Sequence, residues 1–302
     1  MPASRLVSRS VIASNGSRSC HSGHRRVYCA EMSYADEIYT HGHHPFIVAA
    51  HAERTAAEAA AFLLKRLERG ERVLDIGCGP GSITVGLAEH VGKSGSVVGI
   101  DNSAEAIDVA TSTHAAVPNV TFEIASAYSL PFPDASFDVA YGHQVLQHLA
   151  DPTAALREVK RVLRPGGLVA VRDADYGTMA HHPRYPEITS WLELYHQLAR
   201  ANGGEPDAGR RLHQWVRGAG FRRLEVTSSV WTYSTAAERS SWAELWARRI
   251  MLARFADRAV ELDLCEYMEI AALAAGWRRW ASEPDGWFAF IHGEVIGVKP
   301  GH

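Results

Sequence analysis

The sequence predicts a doubly wound α/β fold, a mostly parallel sheet covered by helices on both faces. Three observations carry this expectation. Short apolar runs alternate with helical stretches between residues 73 and 171, a glycine-rich turn joins the first run to the first helix, and an acid closes the second run. Strand–helix–strand alternation places crossover helices over both sides of a parallel sheet.

The elements follow in order. Residues 51–68 are Ala-rich, and Ala56, Ala60, Leu63, Leu64 and Leu67 form one apolar stripe, which predicts a long helix stopped by Gly70. Buried strands are expected at 73–76, 97–100, 120–124, 137–141 and 168–171. Asn102 followed by Glu105 resembles a capping box, and Asp151-Pro152 supplies an N-cap with proline at the first helical position. Leu156, Val159 and Leu163 then share one side, and Arg164-Pro165-Gly166-Gly167 turns the chain into a strand. Later helices are expected near 187–201, 208–218, 236–256 and 258–276, with strands at 224–230 and 288–298. All eight tryptophans fall after residue 190. Packing is expected to account for most of them, with two or three lining an apolar acceptor pocket.

Composition narrows the function. The 302 residues suit one large α/β domain with insertions, and 46% hydrophobic with 22% charged residues is ordinary for a globular chain. Residues 1–30 hold five arginines and no acid, so the net charge of -3 leaves -8 on the remainder. Such a body repels phosphates, which argues against a nucleic-acid partner. No run of 18 apolar residues predicts a spanning helix, so integral membrane association is not expected. Cys20, Cys29, Cys78 and Cys265 form no CxxC pair, which suits free thiols and a cytoplasmic location. Residues 1–31 are expected to be a disordered leader, with organellar targeting the weaker reading. Residues 32–302 would form the working domain, with a cofactor-binding core at 70–175 and acceptor-side elements at 32–69 and 175–285. Cys20, His21, His24 and Cys29, and the HGHH run at 41–44, carry metal-ligand chemistry, but their loop settings favour no metal.

The most informative segment is VLDIGCGPGSITVGLA, residues 73–88. Gly77, Gly79 and Gly81 let the backbone turn tightly and approach a ligand, and the helix that follows offers unpaired N–H donors. Asp101 ends the next strand, where a carboxylate accepts from both hydroxyls of a ribose. The pair predicts a nucleoside cofactor. A dinucleotide turn would read GxGxxG, whereas here the spacing is GxGxG and Ser82 takes the sixth place. Asp75, two residues before the loop, suits an ammonium group and opposes a pyrophosphate. S-adenosylmethionine has an ammonium, a sulfonium and no phosphate.

Together with VVGIDNS, the stretch at 129–149 (SLPFPDASFDVAYGHQVLQHL) and REVKRVLRPGG at 157–167, this segment resembles the class I S-adenosylmethionine-dependent methyltransferases of the UbiE type. The resemblance implies a Rossmann-like seven-stranded sheet whose last hairpin is reversed, with helical C-terminal insertions. It implies methyl transfer to a small molecule without specifying which. It would set Gly77, Gly79 and Gly81 against the methionine portion, Asp101 on the ribose and Asn102 beside the adenine. Ser126 replaces an acid often found before Ala127 in the family, and both residues are expected at the adenine.

Methyl transfer depends mainly on positioning, and a general base matters only when the acceptor must lose a proton. His143, at the end of the fourth strand, and His148 are the candidate bases, and His143 is also expected in the cofactor pocket. Tyr34 and Tyr39 are candidate covers for a sulfonium. The acceptor is expected to be apolar or aromatic. A non-catalytic S-adenosylmethionine-binding sensor or scaffold and an NAD(P)-dependent oxidoreductase are the alternatives, and a homodimer stays open.

Overall fold

The computed structural model describes residues 45–252 and 254–301. The leader, the Cys20 to Cys29 cluster, Tyr34, Tyr39 and the HGHH run lie outside the described residues. Seven strands form one sheet: β1 Arg72–Ile76, β2 Ser96–Asp101, β3 Val120–Ile124, β4 Phe137–His143, β5 Leu163–His182, β6 Arg222–Tyr233 and β7 Trp287–Val298. Their order is β3-β2-β1-β4-β5-β7-β6. The first five run parallel, and β7 inserts antiparallel between β5 and β6. The α/β class and the reversed final hairpin are thus as expected.

Helices cover both faces. On one lie α2 Ala56–Ala59, α3 Ala61–Leu64 and α4 Ser82–Val91, packed on Val73, Val97, Val139 and Ala170. On the other lie α6 Pro152–Val162 and α8 Leu212–Gly218, packed on Leu74, Ile76, Ala140 and Val169. The one-residue alternation of a strand produces this division. Helix α6 begins as the sequence indicates: Asp151 accepts from the Ala154 amide at 2.9 Å with Pro152 behind it. Its buried Leu156, Val159 and Val162 each contribute about 1.5–3 kcal/mol of burial free energy.

Four expectations are corrected. The helix expected over 51–68 is three pieces, α1 Pro45–Ala52, α2 and α3. Thr55 is extended and its hydroxyl accepts from the Glu58 amide at 3.3 Å, so a new helix starts there. Gly70 therefore stops no helix; its N–H donates to the Val91 carbonyl at 2.9 Å. Helix α5, Ala104–Thr113, is capped by Ser103 and not by Asn102, because the Ser103 hydroxyl accepts from the Ala106 amide at 3.2 Å. Helix α7 Pro186–Ala201 forms where expected, but the two helices expected at 236–256 and 258–276 are three, α9 Ala236–Leu252, α10 Arg254–Glu261 and α11 Tyr267–Ala281. Asp263 at φ 56° turns the chain between the last two. Finally, β5 runs far beyond 168–171 in both directions, since the Gly166 amide donates to Lys299 at 2.9 Å and the strand continues past Asp173 and Asp175 along β7.

Beyond the parallel half, α7, α9, α10 and α11 pack on the far ends of β5 and β7. Trp191, Trp246 and Trp277 meet there, with ring centroids 4.3 Å and 5.0 Å apart.

Candidate active site

The carboxyl ends of β1, β2 and β3 bring together most residues singled out in the sequence, beside the point between β1 and β4 where the strand order reverses and open parallel sheets bind ligands. Gly77, Gly79 and Gly81 have φ of 64°, 53° and 84°, all left-handed. They differ in what surrounds them. A Cβ on Gly77 would stand 2.4 Å from Val145 Cγ2, whereas one on Gly79 would meet nothing within 4 Å. Gly77 is pinned by packing and Gly79 borders open space.

Asp101 braces this loop: one oxygen accepts from the Gly79 amide and the other from Ser103, both at 3.0 Å. Asp75 is buried beneath it, accepting from the Thr84 hydroxyl at 2.6 Å. Burial pushes the Asp75 carboxyl up to about 7; the Thr84 bond opposes the rise and the Asp101 charge adds to it. Asn102 and Ser126 are exposed, and Ala127 is partly buried. Ser126 Oγ accepts from the Tyr128 amide at 3.3 Å. Register sets Asp101 beside Ile124, so Ser126 and Ala127 follow at the same edge.

A model of the methyltransferase domain matches residues 67–220. An uncharacterized methyltransferase of Schizosaccharomyces pombe is 32% identical over 271 residues, 86% of this chain and 96% of its own. The chain belongs to the methyltransferase family. It is an S-adenosylmethionine-dependent enzyme of class I. An O-methyltransferase of Aspergillus sclerotiorum is 35% identical over 58% of this chain and 63% of its own. The YcgJ protein of Bacillus subtilis shares the fold, with a TM-score of 0.54 at 20% identity over 81% of this chain and 99% of that one. The residues present fit the cofactor: a glycine edge with no side chain facing its open space, a buried carboxyl with no cation bound to it among the described residues, and a second carboxylate on the rim.

The methyltransferase also carries a polar row that sequence reasoning missed. On one sheet face, register aligns His143, Arg172, Glu294 and Thr227. Arg172 is fully buried; its Nε lies 3.3 Å from Glu294 and its Nη2 donates to Ser229 Oγ at 3.0 Å. Its Nη1 faces His143 Nδ1 at 3.4 Å. A guanidinium only donates, so Nδ1 accepts and the His143 proton sits on Nε2, which is buried without a hydrogen-bond partner among the described residues. Burial, with Arg54 and Arg172 adding to it, holds the His143 imidazole well below its ordinary range. His148, in the short turn Leu146–His148, is half-buried, and its Nε2 lies 2.9 Å from Gln147 Nε2. No sequence signal marks this row, since Arg172, Glu294 and Ser229 stand at ordinary strand spacing.

Trp231 ends the row. Its ring lies 5.9 Å from that of His143 and 4.8 Å from the Arg172 guanidinium. Its other side belongs to a cavity of about 610 Å³ between α1, β6 and α9. Phe46, Trp231, Tyr233, Trp242 and Leu245 supply the apolar wall, and Tyr233 stacks on Trp242 with centroids 4.2 Å apart. Trp231 and Trp242 are the two tryptophans of this wall. Trp191, Trp246, Trp277 and Trp280 are fully buried and committed to packing, whereas Trp287 is exposed.

Proposed function

We propose that the enzyme methylates a small molecule with an apolar or aromatic body, seated in the cavity beside Trp231. The carrying observation is this aromatic-walled space, of a volume that suits a small organic ligand, one ring away from the strand end that adjoins the glycine loop. The register of Ile76 on Gly142 sets His143 beside Gly77, which supports the link between the two sites.

Bound S-adenosylmethionine supplies an electrophilic methyl group on a sulfonium. The chain's own part is to hold the two reactants in line, which accounts for most of the acceleration in such a displacement. Gly77, Gly79 and Gly81 would border the methionine portion, Asp75 its ammonium, Asp101 the ribose hydroxyls, and Asn102, Ser126 and Ala127 the adenine. His143, protonated on Nε2 and hard to charge, suits a hydrogen-bond donor that orients a group better than a base; His148 keeps the base assignment where an acceptor must lose a proton. The reading is tested by incubating the enzyme with labelled S-adenosylmethionine and a panel of acceptors. Transfer to flat or aliphatic compounds, reduced in Trp231→Ala, is expected; transfer confined to small hydrophilic acceptors sinks it.

Two further outcomes follow from the cradle. Gly77→Ala forces a methyl into Val145 and is expected to cost about 2–3 kcal/mol in a urea melt. Gly79→Ala is expected to cost only about 1 kcal/mol yet to weaken S-adenosylhomocysteine binding, because its methyl enters the open space. Unchanged affinity there would assign that space to solvent.

Asp75 sets a pH dependence. Its carboxyl titrates near 7 when folded against an ordinary 3.8. Between these values the folded chain keeps a proton that the unfolded chain has released. Stability therefore falls as pH rises across that window, and the penalty is complete above it. An ammonium partner favours the ionised form, so binding S-adenosylmethionine near neutral pH is expected to release a proton. Calorimetry in buffers of different ionisation enthalpy reads the release directly, and Asp75→Asn should abolish it.

A further inference from the structure

We infer that the acceptor carries a carboxylate, which pairs with Arg249 inside the cavity. The inference rests on the reading of that cavity as the acceptor site. Arg249 lies in the last turns of α9, lines the cavity and is only 4% exposed. A guanidinium so far from water normally has a carboxylate partner, because an uncompensated buried charge is costly. Of the two other buried arginines, Arg172 has one in Glu294, and Arg239 donates instead to the Ser234, Ala281 and Gly286 carbonyls. Arg249 has no ion pair with any described residue. Its Nε is buried without a hydrogen-bond partner among the described residues, and its one hydrogen bond there is from Nη2 to His51 Nε2 at 3.1 Å. A guanidinium cannot accept, so His51 accepts on Nε2, and the pair keeps the whole positive charge of the arginine. The Trp246 ring, 5.1 Å away, and the carbonyl end of α9 offset part of that charge and carry no formal negative charge.

The described acids around the cavity leave it uncompensated. Glu238 accepts from the Ser234 and Thr235 amides at 3.0 and 2.8 Å. Glu244 receives the Arg278 fork at 2.8 and 3.1 Å, and Glu58 accepts from the Thr55 hydroxyl at 3.0 Å. Glu53 is exposed at the rim. The cavity thus joins an aromatic surface to a buried guanidinium. That combination matches an amphipathic organic acid, whose ring or chain covers the tryptophans while its carboxylate accepts from the guanidinium.

The test is calorimetric titration of the full chain, saturated with S-adenosylhomocysteine, with three acids and their neutral isosteres: 2-naphthoic acid and 2-naphthamide, cinnamic acid and cinnamamide, decanoic acid and decanamide. The acids are expected to bind at least about tenfold more tightly than the amides. The preference should disappear in Arg249→Gln and persist, reduced, in Arg249→Lys. Equal affinity of acids and amides in the wild-type protein overturns the inference, whether or not the variants fold, and leaves the proposed function standing. An acid preference that survives in a folded Arg249→Gln overturns the assignment to Arg249. Failure of every probe to bind overturns the acceptor site itself, and the inference with it.

Discussion

Asp101→Ala is expected to weaken S-adenosylmethionine binding about a hundredfold, with little change in the fold of the sheet. Both carboxylate oxygens brace backbone amides at the edge proposed for the cofactor, one of them in the glycine loop. Removing the group releases the Gly79 amide and takes away the acceptor proposed for the ribose hydroxyls. Two charge-assisted hydrogen bonds at about 1.5–3 kcal/mol each exceed what a loosened loop can recover. Asp101→Asn should lie between, since its amide keeps the volume and one acceptor but presents a donor to a backbone N–H. Calorimetry with S-adenosylmethionine and S-adenosylhomocysteine reads the effect. Affinity within about threefold of wild type would show that Asp101 acts on the loop alone.

Arg172→Leu is expected to destabilise the protein by about 3–5 kcal/mol, because Glu294 then keeps its charge inside the sheet. Glu294 would retain only the hydroxyls of Thr227 at 2.8 Å and Ser229 at 2.6 Å. The double variant Arg172→Leu with Glu294→Leu should recover most of the loss, since the pair disappears together with its desolvation cost. Urea melts of both singles and the double decide it. Additive losses would mean that the two side chains act independently.

The parallel strands, the glycine turn and the start of α6 are legible because each has a local cause. Val73, Val97 and Val139 lie in apolar runs that strands bury, Gly79 and Asp101 stand at a fixed distance along the chain, and Asp151-Pro152 caps a helix within four residues. The breaks in the Ala-rich helix were missed because Thr55 competes for the backbone against a composition that favours helix. Asp173 and Asp175 lie past the strand expected at 168–171, yet β5 carries them inward, where Arg210 pairs with Asp175 at 2.5 Å. The side proposed for the acceptor was the least legible. Arg172, Glu294 and Ser229 meet only through strand pairing across 122 residues of sequence, and nothing in the run around Arg249 distinguishes a buried arginine from the exposed ones beside it.

Strand β5 has a consequence for how the two halves behave. It runs for 20 residues, from the edge where the cofactor would bind to beneath the tryptophan-rich helices, and β7 accompanies it along most of that length. The helical half has no floor of its own. It therefore cannot swing as an independent lobe on a hinge, and access to the cavity must come from movement of individual helices over a fixed sheet. The same continuity ties the melting of one half to the other: heat should unfold the described chain in a single cooperative step, and a ligand bound at either end should raise the transition for both.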